Sequence, residues 1–155
     1  MEDVVALRPV AEEDLPLLER LTQDPAVAGE HAWSGWRNLL RLRQEWAEDR
    51  LGIVSWHKVP STPVYYYWTI GIVLLPEARG KGYGTEAHRA LARYLFAHTT
   101  VHRIEGITEA DNLAEQRVIE KAGFTREGVM RGVFWRDGAY RDGVLYSLLR
   151  TDPPG

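Results

Sequence analysis

A turn punctuated by glycines, set between a long apolar run and a helical pattern, constrains this chain more than any other feature. Residues 73–85 read VLLPEARGKGYGT. Pro76 stops the preceding strand, Gly80, Gly82 and Gly84 follow in alternation, and a helical pattern begins at once. A strand that turns straight into a helix presents the helix's unpaired N–H groups and positive partial charge at the turn. Glycine there lets the backbone come close to a ligand, and Arg79 and Lys81 add formal positive charge. The expected guest is a phosphorylated small molecule. The P-loop string Gly-x-x-x-x-Gly-Lys-Ser/Thr is absent. A Rossmann fingerprint belongs after the first strand and wants its third glycine where Ala87 stands. What remains is Arg-x-x-Gly-x-Gly in mid-chain, formed by Arg79, Gly82 and Gly84.

Periodicity supplies the frame around this turn. Val4–Val10 reads as a strand, followed by a helix that starts in Glu12, Glu13 and Asp14 and buries Leu15, Leu17, Leu18 and Leu21. Arg37–Arg50 reads as a second helix, Ile53–Val59 as a short strand and Pro60–Pro63 as a turn. Val64–Leu75 is the longest strand. Tyr66, Trp68, Ile70, Ile72 and Leu74 form its core face; Tyr65, Tyr67, Thr69, Gly71 and Val73 form a face suited to line a cleft. A helix over Thr85–His98, a strand over Arg103–Thr108 and a helix over Asn112–Ala122, closed by Gly123, come next. Strands over Thr125–Arg136 and Ala139–Leu149 meet at Asp137-Gly138, a hairpin signal. The order is mixed α/β, in a single domain over residues 1–150 with a short tail over 151–155.

Composition narrows the partners. The net charge of −3 argues against a nucleic-acid partner. The absence of cysteine excludes disulfides, Cys-ligated metal and a Cys nucleophile. His98 and His102 lack a third ligand at zinc-type spacing, so no metal is expected. No apolar run reaches membrane-spanning length, and the expected setting is the cytoplasm.

The glycine turn, taken with a second string, DNLAEQRVIEKAGF over residues 111–124, and a closing hairpin over residues 132–149, resembles the GNAT acetyltransferase superfamily and its RimJ/RimL-like branch. The resemblance covers nearly the whole chain. It implies a mostly antiparallel twisted sheet flanked by helices, with central strands that splay to admit acetyl-CoA. It implies that Val73, Leu74 and Leu75 pair through their main chain with the pantetheine arm. Amides from Arg79, Gly80, Lys81, Gly82, Tyr83, Gly84 and Thr85 would hold the pyrophosphate. Asn112 would meet the pantetheine amides, Arg117 the CoA phosphates, and Gly106 would allow close approach at the splay.

The implied reaction is direct attack of a primary amine, from a protein N-terminus or a small molecule, on the thioester. A backbone N–H near Leu74 or Leu75 would stabilise the oxyanion. The chain departs from the family's pattern in three places. Thr69 stands where many relatives carry an acid on the central strand, and Thr is no base at neutral pH. Glu115 stands where many carry Ser beside the leaving thiolate; a buried carboxyl there can donate a proton, while a first-turn acid also suits the helix dipole. One strand of the N-terminal half is shortened or lost, which implies an exposed edge and a homodimer or a rearranged first half. The acceptor is expected against Glu30, His31, Trp33 and Trp36, with Tyr67 and Thr69 on the strand and Trp135 and Tyr140 closing from the hairpin. His57 is a further candidate base; Tyr146 is expected to be a buried, hydrogen-bonded strand tyrosine. A non-catalytic acyl-CoA-binding module on the same fold, or an unrelated nucleotide binder, are the alternatives.

Overall fold

The chain was analysed as a computed structural model that describes residues 14–28 and 51–153. The expected strand over Val4–Val10, the helix over Arg37–Arg50 and the loop carrying Glu30, His31, Trp33 and Trp36 lie outside the described residues, as does the question of a lost strand.

Two short helices, α1 (Leu15–Gln23) and α2 (Pro25–Ala28), precede strands β1 (Gly52–Thr62) and β2 (Tyr65–Leu74). A 3-10 turn over Pro76–Ala78 leads to α3 (Tyr83–His98), β3 (Arg103–Glu109), α4 (Leu113–Lys121), β4 (Thr125–Arg136) and β5 (Ala139–Leu149). The strands form one sheet in the order β1-β2-β3-β5-β4. Only β2 and β3 run parallel. This is the mixed, mostly antiparallel sheet with flanking helices that the sequence implies.

Several boundaries shift for physical reasons. β1 runs on through Pro60, expected in a turn, because β1 ends the described sheet and an end strand tolerates a residue without an N–H. The reversal sits one step later, at residues 63–64, after an irregularity between Pro60 and Thr62. α3 begins at Tyr83, two residues before the expected start, with Gly82 in the left-handed region (φ 88°) as its N-cap. The β4–β5 turn is as expected: Asp137 and Gly138 both have positive φ, as a two-residue hairpin turn requires. Gly123 (φ 98°) follows α4 and donates its N–H to Glu120 O at 3.0 Å, closing the helix.

Two apolar clusters hold the sheet to its helices. The larger joins Ile70, Ile104, Val144 and Tyr146 of the strands with Leu91 and Leu95 of α3, Ile119 of α4, and Phe124. The smaller joins Leu17 and Leu21 of α1 with Leu75 and Ala78 at the end of β2. Arg150 then ties the C-terminal end to the α3–β3 connection, donating to Phe96 O, Thr99 O and Val101 O at 2.6–2.9 Å. The expected tail is anchored as far as Asp152, which accepts the Leu149 N–H at 2.8 Å.

Gly84 is where α3 meets α4. A Cβ there would stand 3.1 Å from Val118 Cγ1 and 3.6 Å from Leu74 Cδ1. The sequence suggests that this glycine opens space for a ligand; the fold uses it to let two helices approach. Gly84→Leu is expected to lower stability by about 1–3 kcal/mol through overpacking, read as a fall in the urea midpoint, and Val118→Ala in the same chain should restore part of the loss.

Candidate active site

The parallel ladder between β2 and β3 is short. It pairs Trp68 with Ile104, Thr69 with Glu105 and Ile70 with Gly106, and goes no further. β2 continues to Leu74 against β1, while β3 continues to Glu109 against β5. The two strands therefore part beyond Ile70, which is the implied splay.

The register says which main-chain groups line that opening. Leu75 N–H donates to Leu51 O at 2.8 Å, so this is a hydrogen-bonded position of the β1–β2 ladder. Hydrogen-bonded and non-hydrogen-bonded pairs alternate in an antiparallel ladder. The Ile53–Val73 pair is therefore bonded across to β1, whereas Gly52–Leu74 and Val54–Ile72 are not. Leu74 and Ile72 consequently turn their N–H groups toward β3, past the end of its ladder. Of the three residues expected along the arm, Leu74 suits the part, while the amides of Val73 and Leu75 face β1. Ile72, which the sequence reading did not single out, turns its N–H the same way as Leu74.

The glycine turn stands at the mouth of the opening. α3's N-cap, Gly82, has no side chain with which to cap the first turn, and a helix start of this kind suits an anion. Gly80 (φ 74°) and Gly82 hold the left-handed conformations that shape the turn. Lys81 is exposed beside it. Arg79 behaves differently from expectation: its side chain donates to Leu74 O (3.0 Å) and Val27 O, tying the turn to β2 and α2. Thr85 is buried within the first turn, and Tyr83 packs against the smaller apolar cluster.

On the other side of the opening, Asn112 caps α4. Its Oδ1 accepts the Glu115 N–H at 3.2 Å and its Nδ2 donates to Thr108 Oγ1 at 3.0 Å, so the amide expected to meet pantetheine fixes the start of the helix. Arg117 is exposed on α4. Gly106 is buried, with Ile119 Cδ1 3.5 Å from where a Cβ would sit, an ordinary contact.

Glu115 reaches across to α3. Its Oε1 lies 3.4 Å from Nε2 of His88, whose side chain is 3% exposed against 23% for Glu115. His88 Nδ1 lies 2.9 Å from Gly84 O. A carbonyl only accepts, so Nδ1 carries the proton there. Burial pushes the Glu115 carboxyl up to about 7 and pushes the His88 imidazole down, the Gly84 bond partly opposing the latter. Both shifts favour the neutral forms. The sequence reading singled out Glu115 and missed His88; its place on the inner face of α3 invited a plain core reading.

A second row crosses the sheet at Thr69, whose register partners are His57 on β1 and Glu105 on β3. Partners in register lie on one face of a sheet. The acid missing at Thr69 is thus flanked by an exposed imidazole and a buried carboxylate. Glu105 accepts from Arg103 Nε at 2.7 Å, and Arg103 also holds Glu127 through two bonds of 2.6–2.7 Å. Arg103, with Ser147, pulls the Glu127 carboxyl down to about 2. Tyr67 is raised by burial and by the charge of Glu105. Tyr146 is fully buried and donates to Glu120 Oε1 at 3.0 Å, as expected. Trp135 and Tyr140 stack edge to face, largely exposed, with Tyr140 lining an open depression with Asp111, Arg141 and Asp142. No cluster of metal-ligating side chains and no helix long and apolar enough to cross a membrane occurs among the described residues.

A splayed parallel pair, an uncapped helix behind a glycine turn and a second helix over the gap define the geometry, and a known family shares the corresponding sequence. The family described as "Acetyltransferase (GNAT) domain" matches residues 5–125. The chain belongs to the GNAT acetyltransferase family. Among curated relatives, a probable N-acetyltransferase YjcK of Bacillus subtilis is 39% identical over 83 residues, 54% of this chain and 46% of that protein. The chain thus matches about half the length of such relatives. Its fold superposes on a spermidine N-acetyltransferase from Vibrio cholerae solved with CoA and spermine (TM-score 0.76, 19% identity, 95% of this chain and 96% of that one). It also superposes on a ribosomal-protein-S5-alanine acetyltransferase from Vibrio fischeri (TM-score 0.74, 19% identity, 94% and 92%).

The Glu115 shift has a consequence for stability. The folded chain holds this proton up to about pH 7, against 4.5 for an ordinary Glu. Its contribution is full below 4.5 and is lost as pH rises through about 7. His88, lowered from 6.5, acts oppositely, costing stability as pH falls below 6.5. Glu115→Gln is expected to reduce the loss between about pH 5 and about pH 8 by on the order of 2 kcal/mol, measured by urea unfolding. Identical profiles for the two proteins would contradict the burial described.

Proposed function

We propose that this chain is an acetyl-CoA-dependent N-acetyltransferase acting on a primary amine, and that it works in the manner of the RimJ/RimL-like branch. The observation that carries this reading is the opening beyond Ile70–Gly106, with the main chain of Ile72 and Leu74 turned into it beside an uncapped helix N-terminus. An extended amide-bearing arm fits there as an added strand, and a diphosphate fits the glycine turn. The early amides of α3 and the ammonium of Lys81 would bind the phosphates, while Arg79 ties the turn to Leu74 O and Val27 O. Acetyl-CoA supplies an activated thioester carbonyl.

The chain's own groups then divide the work. The Leu74 N–H donates to the carbonyl oxygen as charge develops on it. The amine must arrive neutral or lose a proton on attack, and the row through Thr69 places His57 and Glu105 on one sheet face as candidate proton acceptors. The Glu115 carboxyl, still partly protonated at pH 7, gives its proton to the departing thiolate sulfur and recovers one from solvent. The acceptor is an amine on a protein N-terminus or a small molecule; among the structural neighbours one is a spermidine enzyme and another a ribosomal-protein-alanine enzyme. A homodimer and a cytoplasmic setting complete the reading.

Titration calorimetry with acetyl-CoA, followed by thiol-release assays over a library of amines and N-terminal peptides, tests it. Lys81→Glu is expected to raise the KM for acetyl-CoA about tenfold with kcat little changed. Glu115→Ala is expected to lower kcat about a hundredfold. Binding without turnover on any amine would favour the acyl-CoA-binding module, for which the Thr69 substitution speaks. ATP binding more tightly than CoA would sink both.

A further inference from the structure

Beyond the carboxyl itself, we propose that His88 is a positioning residue, forming with Glu115 a buried unit that carries one proton and bridges α3 and α4 above the opening. For its kinetic half this rests on the acetyl-transfer reading; its structural half does not.

The geometry fixes the pair from both ends. Gly84 O, one turn earlier on α3, takes the Nδ1 proton at 2.9 Å and leaves the Nε2 lone pair aimed at Glu115, 3.4 Å away. Asn112 pins the start of α4 by accepting the Glu115 N–H, which sets where the carboxyl departs. Gly84, one turn before His88, also brings Val118 of α4 and Leu74 of β2 close together. The His88 ring meets Phe124 edge to face at 6.1 Å, which limits its rotation.

A lone pair facing a carboxylate at this distance is unfavourable, and an imidazolium buried to this degree is costly. The arrangement is satisfied when a single proton sits between the two groups, as a carboxylic acid donating to Nε2. The carboxylates nearest in sequence on the neighbouring elements have other partners. On α3, Glu86 pairs with Arg89 at 2.7 Å. At the end of β3, Glu109 and Asp111 pair with Arg136. On α4 and β5, Glu120 takes the Tyr146 hydroxyl. Glu115 is thus directed by His88 rather than by an arginine, and its proton is kept at a defined place until a thiolate can take it.

Long-range nitrogen–proton NMR on the folded protein with labelled histidine reads this directly. The expected result is an Nδ1–H tautomer for His88, with an Nε2 shift that changes as Glu115 loses its proton near pH 7 and stays flat in Glu115→Gln. An Nε2–H tautomer would overturn the proposal. So would an imidazolium forming near its usual pH in both proteins. Kinetics supply the second readout. His88→Leu is expected to lower kcat about tenfold while leaving the KM for acetyl-CoA within about twofold, and to have no further effect when added to Glu115→Ala. A full additive loss in the double variant would make His88 merely structural. If His88→Leu fails to fold, His88→Gln serves the same cycle. The expected tautomer in a protein with no turnover would leave the one-proton pair standing and remove only the acetyl-transfer reading.

Discussion

The parting of β2 from β3 is the constraint on which the rest of the structure depends. Each strand is fully committed to its other neighbour. β2 pairs with β1 from Tyr65 to Leu74, and β3 pairs with β5 from Arg103 to Glu109. The two halves share only the three pairs around Thr69 and Glu105. Below that junction the larger apolar cluster welds them through Ile70, Ile104 and Tyr146. Above it the main chain of β2 turns polar groups toward a strand that has left. Main-chain groups in protein interiors nearly always find partners, so an opening of this kind suits a guest with amides of its own. The helices follow the same division, α3 continuing β2 and α4 continuing β3. Any side chain that spans them therefore spans the opening.

Electrostatics reinforce this division of labour. Two glutamates are driven in opposite directions by their surroundings. Glu127, held by Arg103 and Ser147, falls to about 2, while Glu115, buried with no arginine beside it, rises to about 7. The first is a fixed charge that steadies the strand network. The second holds its proton to about pH 7 because it is mostly buried. Such divergence between carboxyls on one fold separates structural from chemical roles. Arg79 shows the converse: a cation placed by sequence at a phosphate turn serves instead to bind the main chain of β2 and α2.

Local chemistry made much of this fold legible from the sequence. Asp137-Gly138 dictates a turn with two positive φ values, Gly123 a helix stop, and Pro76 with its glycines a strand-to-helix turn; each acts within a few residues. The family resemblance placed the splay. What stayed hidden depends on register or on contacts between elements. Nothing near Thr69 announces that His57 and Glu105 flank it, because that follows from pairing with two distant strands. The Gly84–Val118 approach and the His88–Glu115 contact depend on how α3 and α4 lie together. Whether Val73 or Leu74 turns its N–H into the gap depends on which pair of the ladder is bonded. That parity was fixed by the Leu75–Leu51 bond rather than by any property of either residue.

A buried histidine facing a mostly buried glutamate is a poor way to hold two helices together. Two aliphatic side chains of similar size would fill the same space without desolvating ionisable groups, and such replacements are often neutral or stabilising. The positions around the pair follow the cheaper rule: Leu91, Ile119 and Phe124 are packed and apolar. The pair thus breaks the local apolar pattern where α3 meets α4. Breaks of this kind, with perturbed proton affinities on both partners, concentrate where chemistry rather than stability decides the residue. Thr69 has an imidazole and a carboxylate as its partners on the flanking strands, and His88 and Glu115 meet on the facing sides of two helices.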